Sequence, residues 1–367
     1  MKAQRWIRTW ISIVSLMLLV GCFNYIVDPN GFNRMIEIPR FNKIKANHSD
    51  AMTIKFKMPL LRQGNWDNLM MGTSRIGVLD NDVLNRYLGG RTFNMEQPAS
   101  VIPVQYDSFM YAVHYNKIKS VVYAVDFMSF NENRRLNDDY IELKSKLRSF
   151  NPFYTYDIYF NQKTLKKSLK LIADNYRGKI KPSAMYLKNG MRVYQNYIYA
   201  FEHNTLDMQK NIDGTVRVWF KENGYYEHYK YSPKYMKQFQ DMLKYCKEHN
   251  IKVYVYISPM YIDFFNALGQ SDLLDEFEHF KSELAQVTDY VDFTGVNPIS
   301  VNIENFWDSA HLRLDKTDLI MKDVINEPNS RLDFGTWVNK DNVSKHLQRQ
   351  KSQYNKNYNL SAVLENK

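Results

Sequence analysis

From Asn68 onward, short runs of consecutive apolar residues alternate with longer stretches that place apolar residues at helical spacing. Asn68–Met71, Arg91–Met95, Ser120–Phe127, Ile251–Ser258 and Asp289–Phe293 read as five strands. The third, Ser-Val-Val-Tyr-Ala-Val-Asp-Phe, is apolar almost throughout and carries β-branched residues, the mark of a strand buried on both faces. Pro98–Asn116, Pro233–Asn250 and Leu273–Val287 read as helices, while Ile76–Leu88 fits a helix or a loop. Ser232-Pro233 supplies an N-cap and a first-turn proline, and Asn250 a left-handed stop. A last helix is expected to open around Asp308 and His311 and to run to about Ile325. Strands alternating with helices predict an open, parallel α/β sheet with helices on both faces.

Three stretches depart from this rhythm. At the N-terminus, Trp10 to Val27 is an apolar run preceded by Lys2, Arg5 and Arg8, with Asp28 as the first acid. Eighteen residues of helix span roughly 27 Å, close to the ~30 Å of a hydrocarbon core. The run therefore predicts one transmembrane helix, with the basic end in the cytoplasm and the bulk of the chain outside. A cleaved signal peptide fits less well, because Phe23-Asn24-Tyr25-Ile26-Val27 continues the apolar run. Lipidation at Cys22 is the alternative, since Leu19-Val20-Gly21-Cys22 resembles a lipobox. The chain then divides into an anchor and turn over 1–31, an α/β domain over 32–326 with an insertion at about 131–231, and a polar tail over 327–367. The insertion is rich in Tyr, Lys and Asn and reads as a decoration of the sheet edge or a lid; the tail reads as loosely packed.

Composition adds little to this division. A chain of 367 residues has room for one large domain with an ample core, and its 27 tyrosines suit a packed fold or an aromatic groove. The net charge of +10 comes from basic residues dispersed among acids, so nucleic acid is not the expected partner. Two cysteines, Cys22 in the apolar run and Cys246 in a helix, offer no disulfide framework. No cluster has metal-ligand spacing, no glycine-rich phosphate loop is present, and no cofactor is expected.

The candidate chemistry gathers at one rim. In open α/β sheets, ligands bind beyond the carboxyl ends of the strands. Ser74, in Gly72-Thr73-Ser74-Arg75, follows the first strand; Asn94 and Gln97 end the second; Asp126 ends the third; Asp308 and His311 follow the fifth by one loop. A serine hydroxyl needs a base within hydrogen-bond reach, and His311 is the candidate, with Asp308 three residues earlier to orient it. Backbone N–H groups at the Gly72–Arg75 turn offer oxyanion donors. Each residue also has a plainer reading. Ser74 and Asp308 are good helix N-caps, Arg75 can tie Asp80 or Asp82 instead of a substrate carboxylate, and Asp126 can be a satisfied buried acid.

The blocks Gly72-Thr73-Ser74-Arg75, Phe93-Asn94-Met95, Val122–Phe127 and Phe306-Trp307-Asp308-Ser309-Ala310-His311 resemble those of the SGNH (GDSL-like) hydrolase superfamily, over about residues 66–128 and 250–326. The N-terminal helix running into Val27-Asp28-Pro29-Asn30-Gly31 resembles its membrane-anchored bacterial branch, the extracytoplasmic partners of membrane-bound O-acyltransferases in D-alanyl-lipoteichoic acid transfer and alginate acetylation. The resemblance implies a flavodoxin-like sheet and a triad of Ser74, His311 and Asp308. It further implies an esterase or O-acyltransferase acting on an envelope or exported polysaccharide, with a membrane-bound O-acyltransferase as partner. The superfamily's second block normally supplies a glycine to the oxyanion hole and its third an asparagine. Here the second reads Asn94-Met95-Glu96-Gln97-Pro98 and the third ends in Asp126, leaving Asn94 and Gln97 as stand-ins. A non-catalytic glycan-binding or scaffold protein on the same fold, and a simple esterase of small soluble esters, are the competing readings.

Overall fold

The computed structural model describes residues 2–45, 53–151, 156–179, 185–326 and 330–365. Tyr154 of the insertion and residues 327–329 of the tail lie outside the described residues. The protein is α/β. Strands β1 (Asn68–Met71), β2 (Thr92–Asn94), β3 (Ser120–Ala124), β6 (Lys252–Ile257), β7 (Tyr290–Asp292) and β8 (Thr336–Val338) form a six-stranded sheet in the order β2-β1-β3-β6-β7-β8. The other two, β4 (Met185–Tyr186) and β5 (Arg192–Val193), make a small antiparallel pair inside the insertion. All neighbours in the large sheet are parallel except β7 and β8.

The apolar runs form strands because both faces of the sheet are covered. Successive side chains point to opposite sides, so Leu69, Met71, Val121, Tyr123, Val255 and Ile257 enter one core while Met70, Val122, Ala124 and Tyr256 enter the other. The helices Ile102–Tyr115, Pro233–Glu248 and Leu274–Val287 pack on the first face, and Asn81–Leu88 and Thr317–Val324 on the second. The helix Lys2–Val27 is long and apolar enough to be a membrane span or a signal sequence. A further helix, Thr53–Gln63, lies between the N-terminal helix and β1; its apolar pattern is interrupted by Lys57, which is fully buried against Glu96 at 3.1 Å.

The tail corrects the expectation of loose packing. β8 pairs antiparallel to β7, with Val291 opposite Trp337, and Val338 and Val343 are buried. Its hold is polar, which is why apolar periodicity did not reveal it. Lys281 and Asp292 form a fully buried pair at 2.8 Å. His346 Nε2 donates to the same carboxylate at 2.8 Å, and Lys281 donates to Gln350 Oε1 at 2.7 Å. Burial alone would raise the Asp292 carboxyl, but the Lys281 ammonium and the His346 donor hold it below the usual carboxylate range. A depressed carboxyl contributes stability above its unfolded value of about 3.9, and that contribution is lost as pH falls below it. Asp292→Ala leaves Lys281 as an unpaired buried charge and is expected to cost roughly 3–5 kcal/mol at neutral pH. Denaturant unfolding checks this; a loss under about 1 kcal/mol would show that the tail contributes nothing to the fold.

Candidate active site

The sheet order reverses between β1 and β3, since the chain runs from β1 outward to β2 and returns to the other side of β1. The carboxyl ends of these two strands splay the loops that follow them and leave a crevice. β1 ends at Met71 and Gly72 turns sharply with φ of +139°; an added Cβ there would fall 2.5 Å from the Ala124 carbonyl oxygen of β3. Only glycine lets the two strand ends approach so closely. Thr73 then caps a short helix, Ser74–Gly77, that opens with the half-buried Ser74.

The loop after β7 brings the other two groups. It is not the start of a helix, as the spacing led one to expect. Phe306 and Leu312 form an isolated antiparallel bridge, Trp307 N donates to the His311 carbonyl at 2.8 Å, and the helix begins only at Thr317. The three-residue spacing is used by a turn, in which Asp308 Oδ1 accepts from the N–H groups of Ala310 and His311 at 2.8 and 2.9 Å. His311 Nδ1 lies 3.0 and 2.9 Å from the two carboxylate oxygens, and His311 Nε2 lies 2.9 Å from Ser74 Oγ. Burial alone would raise Asp308, but the His311 ring and these two backbone donors hold its carboxyl below the ordinary value. An ionised carboxylate only accepts, so Nδ1 carries a proton, and in the neutral form of the ring the Nε2 lone pair faces the serine hydroxyl. Ser74, His311 and Asp308 thus form a hydrogen-bonded serine–imidazole–carboxylate array across 237 residues of sequence, an arrangement with the geometry a nucleophile, its base and an orienting group require.

Comparison with protein-family models and with curated proteins finds no match to this chain. The chemistry therefore stands on the geometry.

The other residues expected at the rim divide. Arg75 does not reach Asp80 or Asp82. Its guanidinium pairs with Asp126 at 3.3 Å and lies 5.1 and 5.2 Å from the ring centres of Trp219 and Phe264. Asp126 is a satisfied buried acid rather than a cleft group, since it also accepts from the Thr73 hydroxyl. Asn94 is no oxyanion donor: its amide donates to the Ile76 carbonyl at 3.0 Å and its oxygen accepts from Glu96 N. Gln97 stays in contention. Its backbone N–H donates to the Gly72 carbonyl at 2.9 Å, which sets it beside the nucleophile turn, and its buried Nε2 has no hydrogen-bond partner among the described residues.

The cleft over Ser74 and His311 has a volume of about 550 Å³, within the range of ligand sites. Pro98, Ala99 and Met128 line one part of it. The insertion supplies most of the rest, with Arg192, Tyr194, Tyr197, Lys210, Trp219 and Tyr225. Tyr197 stacks on Trp307 at 5.9 Å; burial, and then the Asp308 carboxylate, push its phenol up to about 12, so it stays protonated. Sequence reading marked the insertion as tyrosine-rich but missed Trp219 and the basic residues, because no strand end leads to them. It also missed the Lys57–Glu96 pair, against which Gly77 is tightly packed.

Gly72→Ala places a side chain against β3 in a backbone conformation that disfavours it, a strain of roughly 1–3 kcal/mol. The expected outcome is a lower denaturation midpoint, together with loss of the Ser74–His311 hydrogen bond as read from the histidine proton resonances. A variant as stable as the parent would remove the argument that this glycine fixes the nucleophile turn.

Proposed function

We infer that this protein is a serine esterase or O-acyltransferase of SGNH type, held at the bacterial cytoplasmic membrane by its N-terminal helix, with its main domain on the extracytoplasmic side. The observation that carries the reading is the Ser74–His311–Asp308 array, with 2.9 Å from Oγ to Nε2 and 2.9 Å from Nδ1 to the carboxylate. The sequence blocks that resemble the superfamily support it. So does the strand order: with the small insertion pair set aside, β2-β1-β3-β6-β7 follows the 2-1-3-4-5 order of flavodoxin-like sheets.

In this mechanism Ser74 Oγ attacks the carbonyl carbon of an acyl donor as its proton passes to His311 Nε2, and Asp308 stabilises the imidazolium. The oxyanion is met by N–H groups opening the Ser74–Gly77 turn and by the Gln97 side-chain amide, each such donor being worth a few kcal/mol. Asp126 would repel an oxyanion if it faced one, but its carboxylate is turned onto Arg75 and Thr73. Collapse of the tetrahedral adduct breaks the donor ester bond, the leaving oxygen takes the proton from His311, and acyl-Ser74 remains. A hydroxyl then gives its proton to His311 and attacks acyl-Ser74, releasing the serine. Tyr194, Tyr197 and Tyr225 bring aromatic side chains suited to a sugar to the cleft wall, and Arg192 and Lys210 line it with basic groups. These suit a polysaccharide acceptor, with a membrane-bound O-acyltransferase as the source of acyl groups.

Incubation with an activated aryl ester is expected to add one acyl group to the intact protein, seen by mass spectrometry, and to add none to Ser74→Ala. His311→Ala is expected to slow acylation by far more than tenfold, which is about 1.4 kcal/mol, and Gln97→Ala by roughly 10²-fold with little change in KM. Equal adduct on Ser74→Ala would end the catalytic reading. With polysaccharide present, the acyl group should move to sugar rather than water; release only as free acid would restrict the activity to hydrolysis.

A further inference from the structure

The end of the N-terminal helix is built into the folded domain. Asn24 donates to the Tyr159 carbonyl at 2.7 Å and accepts from Ser168 Oγ at 2.8 Å. The connector that follows folds back and caps the helix. Asn42 Nδ2 donates to the carbonyls of Ile26 and Val27 at 2.9 and 3.2 Å, and Lys45 Nζ donates to Val27 at 3.1 Å. Asp28, fully buried, accepts from the N–H groups of Phe32, Asn33 and Arg34.

These bonds fix which domain residues stand at which height along the helix. Phe160 packs at Gly21, where an added Cβ would lie 2.3 Å from its ring, and Met35 Sδ meets the Tyr25 hydroxyl at 2.9 Å. At 1.5 Å per residue, Phe160 therefore stands roughly 9 Å from Val27, back along the apolar run. Both are open to the surroundings, Phe160 at 44% and Met35 at 64%, and Ile36, Ile38 and Ile44 of the connector are exposed as well. Alongside runs the helix Gln162–Arg177. It buries Thr164, Ser168, Leu171 and Asn175, and Asn175 clasps the backbone of Ile44 through both N–H and carbonyl. Its exposed positions include Lys163, Lys166, Leu169 and Lys170.

An exposed apolar surface continuous with a membrane-spanning helix and flanked by lysines matches the boundary between acyl chains and headgroups. We propose that residues 31–45 and the segment 156–177 form a collar that seats the domain on an anionic phospholipid bilayer. The apolar side chains of the connector and Phe160 enter the acyl boundary, and the lysines of the Gln162–Arg177 helix meet lipid phosphates. This rests on the reading of Lys2–Val27 as a retained transmembrane helix.

Depth measurement tests it with the full chain in phosphatidylcholine nanodiscs, with and without phosphatidylglycerol. In a Cys22→Ser background, nitroxides are placed by Leu16→Cys, Ile38→Cys and Leu169→Cys, and their collisions with oxygen and with a water-soluble nickel chelate are compared. The Leu16 label is expected at hydrocarbon depth in both discs. The Ile38 and Leu169 labels are expected to lose nickel collisions in anionic discs, and the Leu169 label to regain them when Lys163, Lys166 and Lys170 are all replaced by Gln. Aqueous labels at Ile38 and Leu169 beside a buried Leu16 label would overturn the collar and leave the patch to a protein partner. Depth independent of lipid charge would overturn the phosphate contact. An aqueous Leu16 label would remove the anchor itself.

Discussion

The buried pair of Arg75 and Asp126 holds the switch point of the sheet together. Arg75 follows β1 and Asp126 follows β3, so their ion pair joins the two strand ends whose divergence makes the crevice. The Thr73 hydroxyl donates into the same carboxylate, which ties down the residue immediately before Ser74. Trp219 of the insertion and Phe264 of the helix Ile262–Gln270 approach the guanidinium, bringing two more elements to the same charge. Such a pair is a poor source of net stability, because desolvation offsets most of its attraction. Its value here is positional. A buried cation with one fixed partner leaves the Ser74 turn few alternative arrangements.

Position matters because Ser74, His311 and Asp308 come from elements that share little else. Ser74 lies on a turn after β1, while His311 and Asp308 lie on a bridged loop well beyond β7. The loop is set by Asp308, which accepts two backbone N–H bonds besides the histidine proton. Three donors on one carboxylate hold both its charge and its orientation, and the imidazole inherits that orientation through Nδ1. The Ser74 turn and the His311 ring are therefore each fixed by a carboxylate, Asp126 under one and Asp308 behind the other.

What could be read in the sequence follows from what each interaction looks like in one dimension. Strands covered on both faces announce themselves as apolar runs, so β1, β3, β6 and β7 were legible, as was the spacing of Asp308 and His311. β8 was not, because its surroundings are held by Lys281, Asp292, His346 and Gln350, residues that read as solvent-exposed until their partners are known. The same blindness hid Lys57, which sits fully buried in a helix whose apolar pattern it interrupts. Asn94 misled in the opposite sense: a rim asparagine looks like a donor to substrate, yet the Ile76 carbonyl at the end of the Ser74–Gly77 turn takes its amide. Local backbone needs compete with ligands for such side chains, and only coordinates show which has won.

The insertion decides how the site meets its surroundings. Near its start, Tyr159 and Ser168 bond the end of the N-terminal helix, and further on the turn between β4 and β5 closes the open edge of β2, where Asn94 N donates to the Asn189 carbonyl at 2.8 Å. Gly190 lies against the Asn94 carbonyl so closely that a Cβ would fall 2.2 Å from it. Arg34 in the connector reaches the Tyr186 carbonyl of β4, so the turn after the N-terminal helix and the sheet edge are joined by one bonded path. Immediately after β5, Tyr194 lines the cleft. A cleft wall fixed at one end to the helix and at the other to the sheet edge does not swing as a tethered domain would. If the helix spans a bilayer, the height of Ser74 above it is set by this path.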